Sequence, residues 1–183
     1  GDCRYSRFGT SVTDYATALD ISDWTGTVGG NISGTSDLAP LDQQAAMIQE
    51  LFPDAKTVGL LYCSAEPNSV YQCDVIEGYL TQEGYTVARY AFTDTNDVTS
   101  VAQTAADNSD VIYIPTDNTA APTPEAIANV VLPAKVPVVL ARRASATAAA
   151  LPRCPSATMI WAMPPVRWPP RFWPRVAIFL PCL

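Results

Sequence analysis

Three short runs hold the side chains best suited to chemistry: Gly9-Thr10-Ser11-Val12-Thr13-Asp14, Tyr62-Cys63-Ser64-Ala65-Glu66-Pro67-Asn68-Ser69 and Pro115-Thr116-Asp117-Asn118-Thr119. Hydroxyls and free backbone N–H groups at a helix N-terminus suit a carboxylate, and an Asp opposite them suits an ammonium. An α-amino acid carries both groups. For any one run the plainer reading is that Ser, Thr, Asp and Asn cap helices and close turns. Three such runs at the same edge of a sheet weigh against that reading. Tyr62, ending a strand at this edge, is a candidate for stacking.

Other chemistries find little to work with. The chain has no histidine, which removes the commonest metal ligand and the usual base for a Ser or Cys nucleophile. Its glycines form neither GxGxxG nor a P-loop, so no nucleotide is indicated. Of the five cysteines, Cys63 and Cys73 stand ten apart without a CxxC pattern, so neither a disulfide framework nor a metal site is expected. A net charge of −7 disfavours nucleic acid, which needs a basic patch. Mean hydropathy is +0.08 over 183 residues, and no apolar run approaches the roughly 18 residues of a membrane span. No cofactor, no metal and no catalysis are expected.

The elements that would position the three runs alternate. Thr57 to Tyr62 reads as a buried strand, Asn68 to Glu83 as a helix stopped at Gly84, and Thr86 to Phe92 as the next strand. Asp97 to Ala106 reads as a helix with Asp97 at its N-cap, Val111 to Ile114 as a strand, Pro124 to Leu132 as a helix, and Val136 to Val139 as a last strand. Upstream, Leu41 to Phe52 is a helix ended by Pro53, and residues 22 to 37 form a Gly/Ser/Thr-rich connection. Strands alternating with helices imply an α/β fold, an open and mostly parallel doubly wound sheet. Ligands bind such sheets at the carboxyl ends of the strands, where the polar runs fall.

Composition divides the chain. Residues 9 to 139 hold 17 acids against Lys56, Arg89 and Lys135, a balance of −14, whereas residues 140 to 183 hold six arginines, no acid, half of the 16 prolines and three of the four tryptophans. Genetic-code arithmetic accounts for the contrast. Shifting the frame within the tail forces Asp at Met159-Ile160, Gly at Trp161-Ala162, Ala at Met163-Pro164, Trp168-Pro169 and Trp173-Pro174, and Leu at Phe172-Trp173. With free choice of synonymous codons, residues 140 to 181 re-read as a strand, a turn and an amphipathic helix, and residues 1 to 8 re-read as an apolar strand, ATADIPVF. The expectation is a fragment from inside a gene with out-of-frame ends and little packing beyond Leu140.

The runs GGNISGTSDLAPLDQQ (Gly29 to Gln44), LFPDAKTVGLLYCSAEPNS and DVIYIPTDNT resemble the extracytoplasmic solute-binding proteins of ABC transporters, tryptophan/tyrosine type, almost continuously over residues 9 to 139. The resemblance implies the type I periplasmic-binding fold: residues 1 to 8 a remnant of a first-lobe strand, 9 to 37 the end of that lobe and the crossover, 38 to 139 the second lobe, and 140 to 183 a non-native tail. It implies a receptor that binds an aromatic or hydrophobic amino acid in an interlobe cleft and delivers it to an ABC permease and its ATPase. Ser11, Thr13 and Asp14 would serve from the first lobe, and Tyr62, Ser64, Glu66, Asn68, Thr116, Asp117 and Asn118 from the second, with Gly34-Thr35-Ser36-Asp37 near the crossover. Asp117 or Asp14 would take the ammonium. With much of the first lobe absent, impaired binding is expected. A ligand-sensing regulatory domain of the same fold and a doubly wound enzyme are the alternatives.

Overall fold

The computed structural model describes residues 7–28, 31–141, 159–160 and 177–179. The expectations placed on residues 1–6 and on most of the tail lie outside them. The chain divides into two compact units, Gly1–Pro40 and Leu41–Leu183.

In the first unit, β1 (Arg7–Val12) pairs in parallel with β2 (Ile32–Ser36), Gly9 opposite Gly34. A Cβ on Gly34 would collide with the Gly9 carbonyl and the Tyr15 hydroxyl. The strand β2 corrects the reading of residues 22 to 37 as connection throughout. Its sequence, ISGTS, offers one apolar residue, so no period-two pattern announces it. Between the strands lies α1 (Tyr15–Ala18), whose N-cap Asp14 accepts from the Thr17 backbone N–H.

The second unit runs α2 (Leu41–Leu51), β3 (Thr57–Cys63), α3 (Pro67–Gln82), β4 (Thr86–Phe92), α4 (Val98–Asn108), β5 (Val111–Ile114), α5 (Pro124–Ala134) and β6 (Val138–Leu140). The sheet order begins β4-β3-β5-β6, all parallel. The alternating α/β reading therefore holds, with ends shifted by one to two residues. Beyond Leu140, Ala177–Phe179 (β8) pairs antiparallel with β6, and Met159–Ile160 (β7) with β8. Little packing was expected there, and these two short strands are what the described residues show of it.

Strand β3 shows why the sheet is doubly wound. Val58, Leu60 and Tyr62 join Ala45 and Ile48 of α2 and Cys73, Ile76 and Leu80 of α3 in one core. Leu61 and Cys63 point the other way, into a second core with Val98 and Ala102 of α4 and Ile127 and Val131 of α5. A strand covered on both faces reads as a continuous apolar run, as TVGLLYC does.

Helix ends follow local chemistry. After α3, the Gly84 N–H donates to the Thr81 carbonyl and the Tyr85 N–H to that of Leu80, with Gly84 at φ 94°. This paired closure needs a left-handed residue. The same closure ends α5 with Lys135 in the left-handed position, φ 58°. Asp97 precedes α4 without capping it by its side chain, because its carboxylate instead accepts from the Thr93 hydroxyl at 2.8 Å.

Candidate functional site

The chain leaves β3 toward β4 on one side of the sheet, then crosses back to place β5 on the other. Such a reversal parts the loops at the carboxyl ends of the two central strands and opens a place for a ligand. The two polar runs of the second unit are these loops, Ser64–Glu66 after β3 and Pro115–Thr119 after β5.

The structure ties them together across about fifty residues of sequence. Glu66 is the hub: its Oε1 accepts from the Thr119 hydroxyl at 2.6 Å, and its Oε2 from the Asn118 N–H at 3.0 Å and the Asn118 and Asn68 side-chain amides at 3.1 and 3.4 Å. Burial alone would raise the Glu66 carboxyl, but the bonds from Thr119, Asn118 and Asn68 outweigh it and hold the group below its ordinary 4.5. Hydrogen bonds to the ionised form act in this direction. Asn68 also donates to the Thr116 carbonyl at 3.0 Å.

Asp117 is 4% exposed. One oxygen accepts from the Cys63 N–H at 2.7 Å, and the other from the N–H groups of Thr119 at 2.9 Å and Ala120 at 2.7 Å. It fastens the last residue of β3 to the loop after β5, so the strand runs one residue past the Tyr62 boundary read from sequence. Ser64 is exposed, its hydroxyl donating to the Phe92 carbonyl at 3.2 Å.

Gln72 was not among the residues singled out in sequence. Wholly buried in α3, it accepts from the Thr116 N–H at 3.2 Å and hydroxyl at 2.8 Å, and donates to the Asn68 carbonyl at 3.0 Å. The one signal for it is its place one turn beyond Asn68 on the same helix face. Thr119 was missed as a site residue although it closes the PTDNT run.

Tyr62 lies in the core under α2 and α3, 8% exposed. Its hydroxyl is a partner of Arg89, which also pairs with Asp74 at 2.7 Å and with Glu77. Burial alone would lower the Arg89 pKa, but these partners outweigh it and raise it. Beneath the same face, Tyr113 donates to Gln44 at 2.6 Å, and burial pushes the Cys73 thiol up to about 12, so it stays protonated and unreactive at neutral pH.

In the first unit, Ser11 lies within β1, and the Thr13 carbonyl accepts from the Ser36 hydroxyl at 2.9 Å. Asp14 uses Oδ2 for both the Thr17 N–H at 2.7 Å and the Thr17 hydroxyl at 2.8 Å. Among the described residues, no cluster of three or more His, Cys, Asp or Glu could hold a metal. None of the described helices is long and apolar enough to cross a membrane.

A family model described as ABC transporter substrate binding protein matches residues 9–154. The chain belongs to this family. Over 126 residues, 69% of its length, it is 30% identical to a tyrosine-binding protein of Clostridioides difficile strain R20291, spanning 36% of that protein. Two solved structures resemble it with TM-scores of 0.66. One is an ABC domain from Streptococcus pneumonia in complex with L-Trp, 31% identical, covering 72% of this chain and 45% of that one. The other is a conserved domain protein from Vibrio cholerae, 32% identical, covering 72% and 44%. This family member thus spans less than half the length of the relatives it matches, and the family is one of substrate-binding proteins rather than enzymes.

Proposed function

We propose that this chain is the ligand-holding part of an extracytoplasmic amino-acid receptor that serves an ABC importer. It binds an aromatic or hydrophobic amino acid, carries out no catalysis, and delivers the ligand to the permease and ATPase. The observation that carries this reading is the bridging of the loops after β3 and β5, through Glu66, Asn68 and Gln72, at the reversal of strand order. It is supported by 31% identity to a domain in complex with L-Trp. In the second unit the proposed contacts are Ser64, Asn68, Thr116 and Asn118; in the first unit, taken by itself, the proposed ligand residues are Ser11, Thr13 and Asp14. Glu66 and Asp117 hold the loops in place. Because the chain spans less than half of its relatives, the reading includes an affinity weaker than micromolar.

Titrating the ¹⁵N-labelled chain with L-Trp and L-Tyr tests this. Amide shifts at residues 64–66, 68 and 116–119, saturating in the millimolar range with no heat detected at micromolar ligand, are expected. Absence of shifts with both amino acids would defeat the reading.

A further inference from the structure

Hydrogen bonds have a direction, and in the loops of the second unit the backbone fixes it. Gln72 of α3 is wholly buried. One end of its side-chain amide faces the Thr116 N–H at 3.2 Å, and the other faces the carbonyls of Asn68 at 3.0 Å and Thr116 at 3.4 Å. A backbone N–H only donates and a carbonyl only accepts, so the amide oxygen lies toward the Thr116 N–H and the nitrogen toward the two carbonyls. The same oxygen stands 2.8 Å from the Thr116 hydroxyl. That hydroxyl therefore spends its one proton on Gln72.

The other second-unit side chains proposed as contacts are committed in the same sense. The Asn68 amide gives one proton to the Thr116 carbonyl and the other to Glu66, and the Ser64 hydroxyl gives its proton to the Phe92 carbonyl. Asn118 gives one amide proton to Glu66 and keeps one. Ser64, Asn68 and Thr116 thus have only side-chain lone pairs left for a ligand. An ionised carboxylate likewise offers nothing but acceptors, and bringing acceptors together out of water leaves both sides unpaired at a cost in free energy.

We infer, on the amino-acid reading above, that Gln72 is a positioning residue that touches no ligand yet sets the hydrogen-bond polarity of this edge, so that Thr116 and Asn68 accept from an N–H or O–H of the ligand and do not meet its carboxylate.

Titrating the ¹⁵N-labelled full chain with three probes tests this: 3-phenylpropionate, which has a carboxylate and no donor; phenethylamine, which has an ammonium; and indole-3-propionate, whose donor is the ring N–H. The Thr116 and Asn68 amide resonances should stay in place with 3-phenylpropionate and move with one or both donor probes, and the probe that moves them identifies the ligand group. Gln72→Met removes the acceptor and frees the Thr116 hydroxyl proton. It should cut the preference for that donor probe over 3-phenylpropionate roughly three- to tenfold, the scale of one hydrogen bond. Thr116→Val should cut it by a similar factor, and Thr116→Ser, which restores a hydroxyl, should recover it; this pair decides the polarity even where Gln72→Met disturbs the fold. The inference is overturned if 3-phenylpropionate moves Thr116 as the donor probes do, if neither donor probe moves it where L-Trp does, or if a folded Gln72→Met weakens all three probes alike. If L-Trp and L-Tyr move no amide of the unaltered chain, the amino-acid reading itself fails.

Discussion

The two units are built from the same kinds of segment and reach different degrees of burial. In Leu41–Leu183, β3 is covered on both faces, and Ile48, Leu60, Leu61, Ile76, Leu80, Ile112 and Tyr113 are wholly buried. Among the described residues of Gly1–Pro40, two strands and a four-residue helix without a buried residue leave Phe8 76%, Trp24 43%, Leu19 42% and Leu38 37% exposed. Apolar residues stabilise a fold only when another layer meets them, and a two-stranded sheet has too few neighbours to supply one. Composition alone therefore misjudges where stability resides.

Truncating side chains in each unit is the sharpest way to break this contrast. Leu60→Ala should destabilise the second unit by about 2–5 kcal/mol, whereas Phe8→Ala should change stability by about 0.5 kcal/mol or less. Urea unfolding followed by far-ultraviolet circular dichroism measures both, and equal losses would erase the distinction.

Overfilling should cost less than emptying. A Cβ on Gly59 would stand 2.5 Å from the Ser109 Oγ and 3.0 Å from the Tyr90 ring. Gly59→Ala should destabilise by about 1–3 kcal/mol. Adding Ser109→Ala removes the closest of these contacts and should recover part of the loss in the same urea experiment, since neighbouring sites are not additive.

The smallest effect concerns acid. The N–H groups of Thr57 and Lys56 hold the Asp110 carboxyl below its ordinary 3.8, at 2.9 and 2.8 Å. A lowered carboxyl contributes stability that is complete above its unfolded value and lost as pH falls through its folded one. Asp110→Asn should thus be less stable than the parent at neutral pH, with the gap closing below pH 3.8. A gap that widened on acidification would reverse the assignment.

Much of the second unit was legible because its signals are local. TVGLLY and VIYI announce buried strands by their apolar runs, and Gly84 marks a helix stop that its left-handed backbone fulfils. β2 was not legible, since ISGTS lacks the alternation that marks a half-buried strand. The candidate site was legible as three loops and not as a network. Glu66 meets Asn118, and Gln72 meets Thr116, across intervals that no local period spans. Asp97 stands at the N-cap of α4 as its sequence suggests, but it makes no side-chain cap bond, since Thr93 offers its carboxylate a partner outside the helix.

Those long intervals also set an order of events during synthesis. Glu66, Asn68 and Gln72 emerge from the ribosome well before Thr116, Asn118 and Thr119, the residues that organise them. Contacts so distant in sequence form only after the intervening chain has closed its loop. A nascent product stalled ahead of Thr116 could fold α3 against β3, yet it would lack the bridged loops at the carboxyl edge. The bridge between the two loops of this unit is completed late.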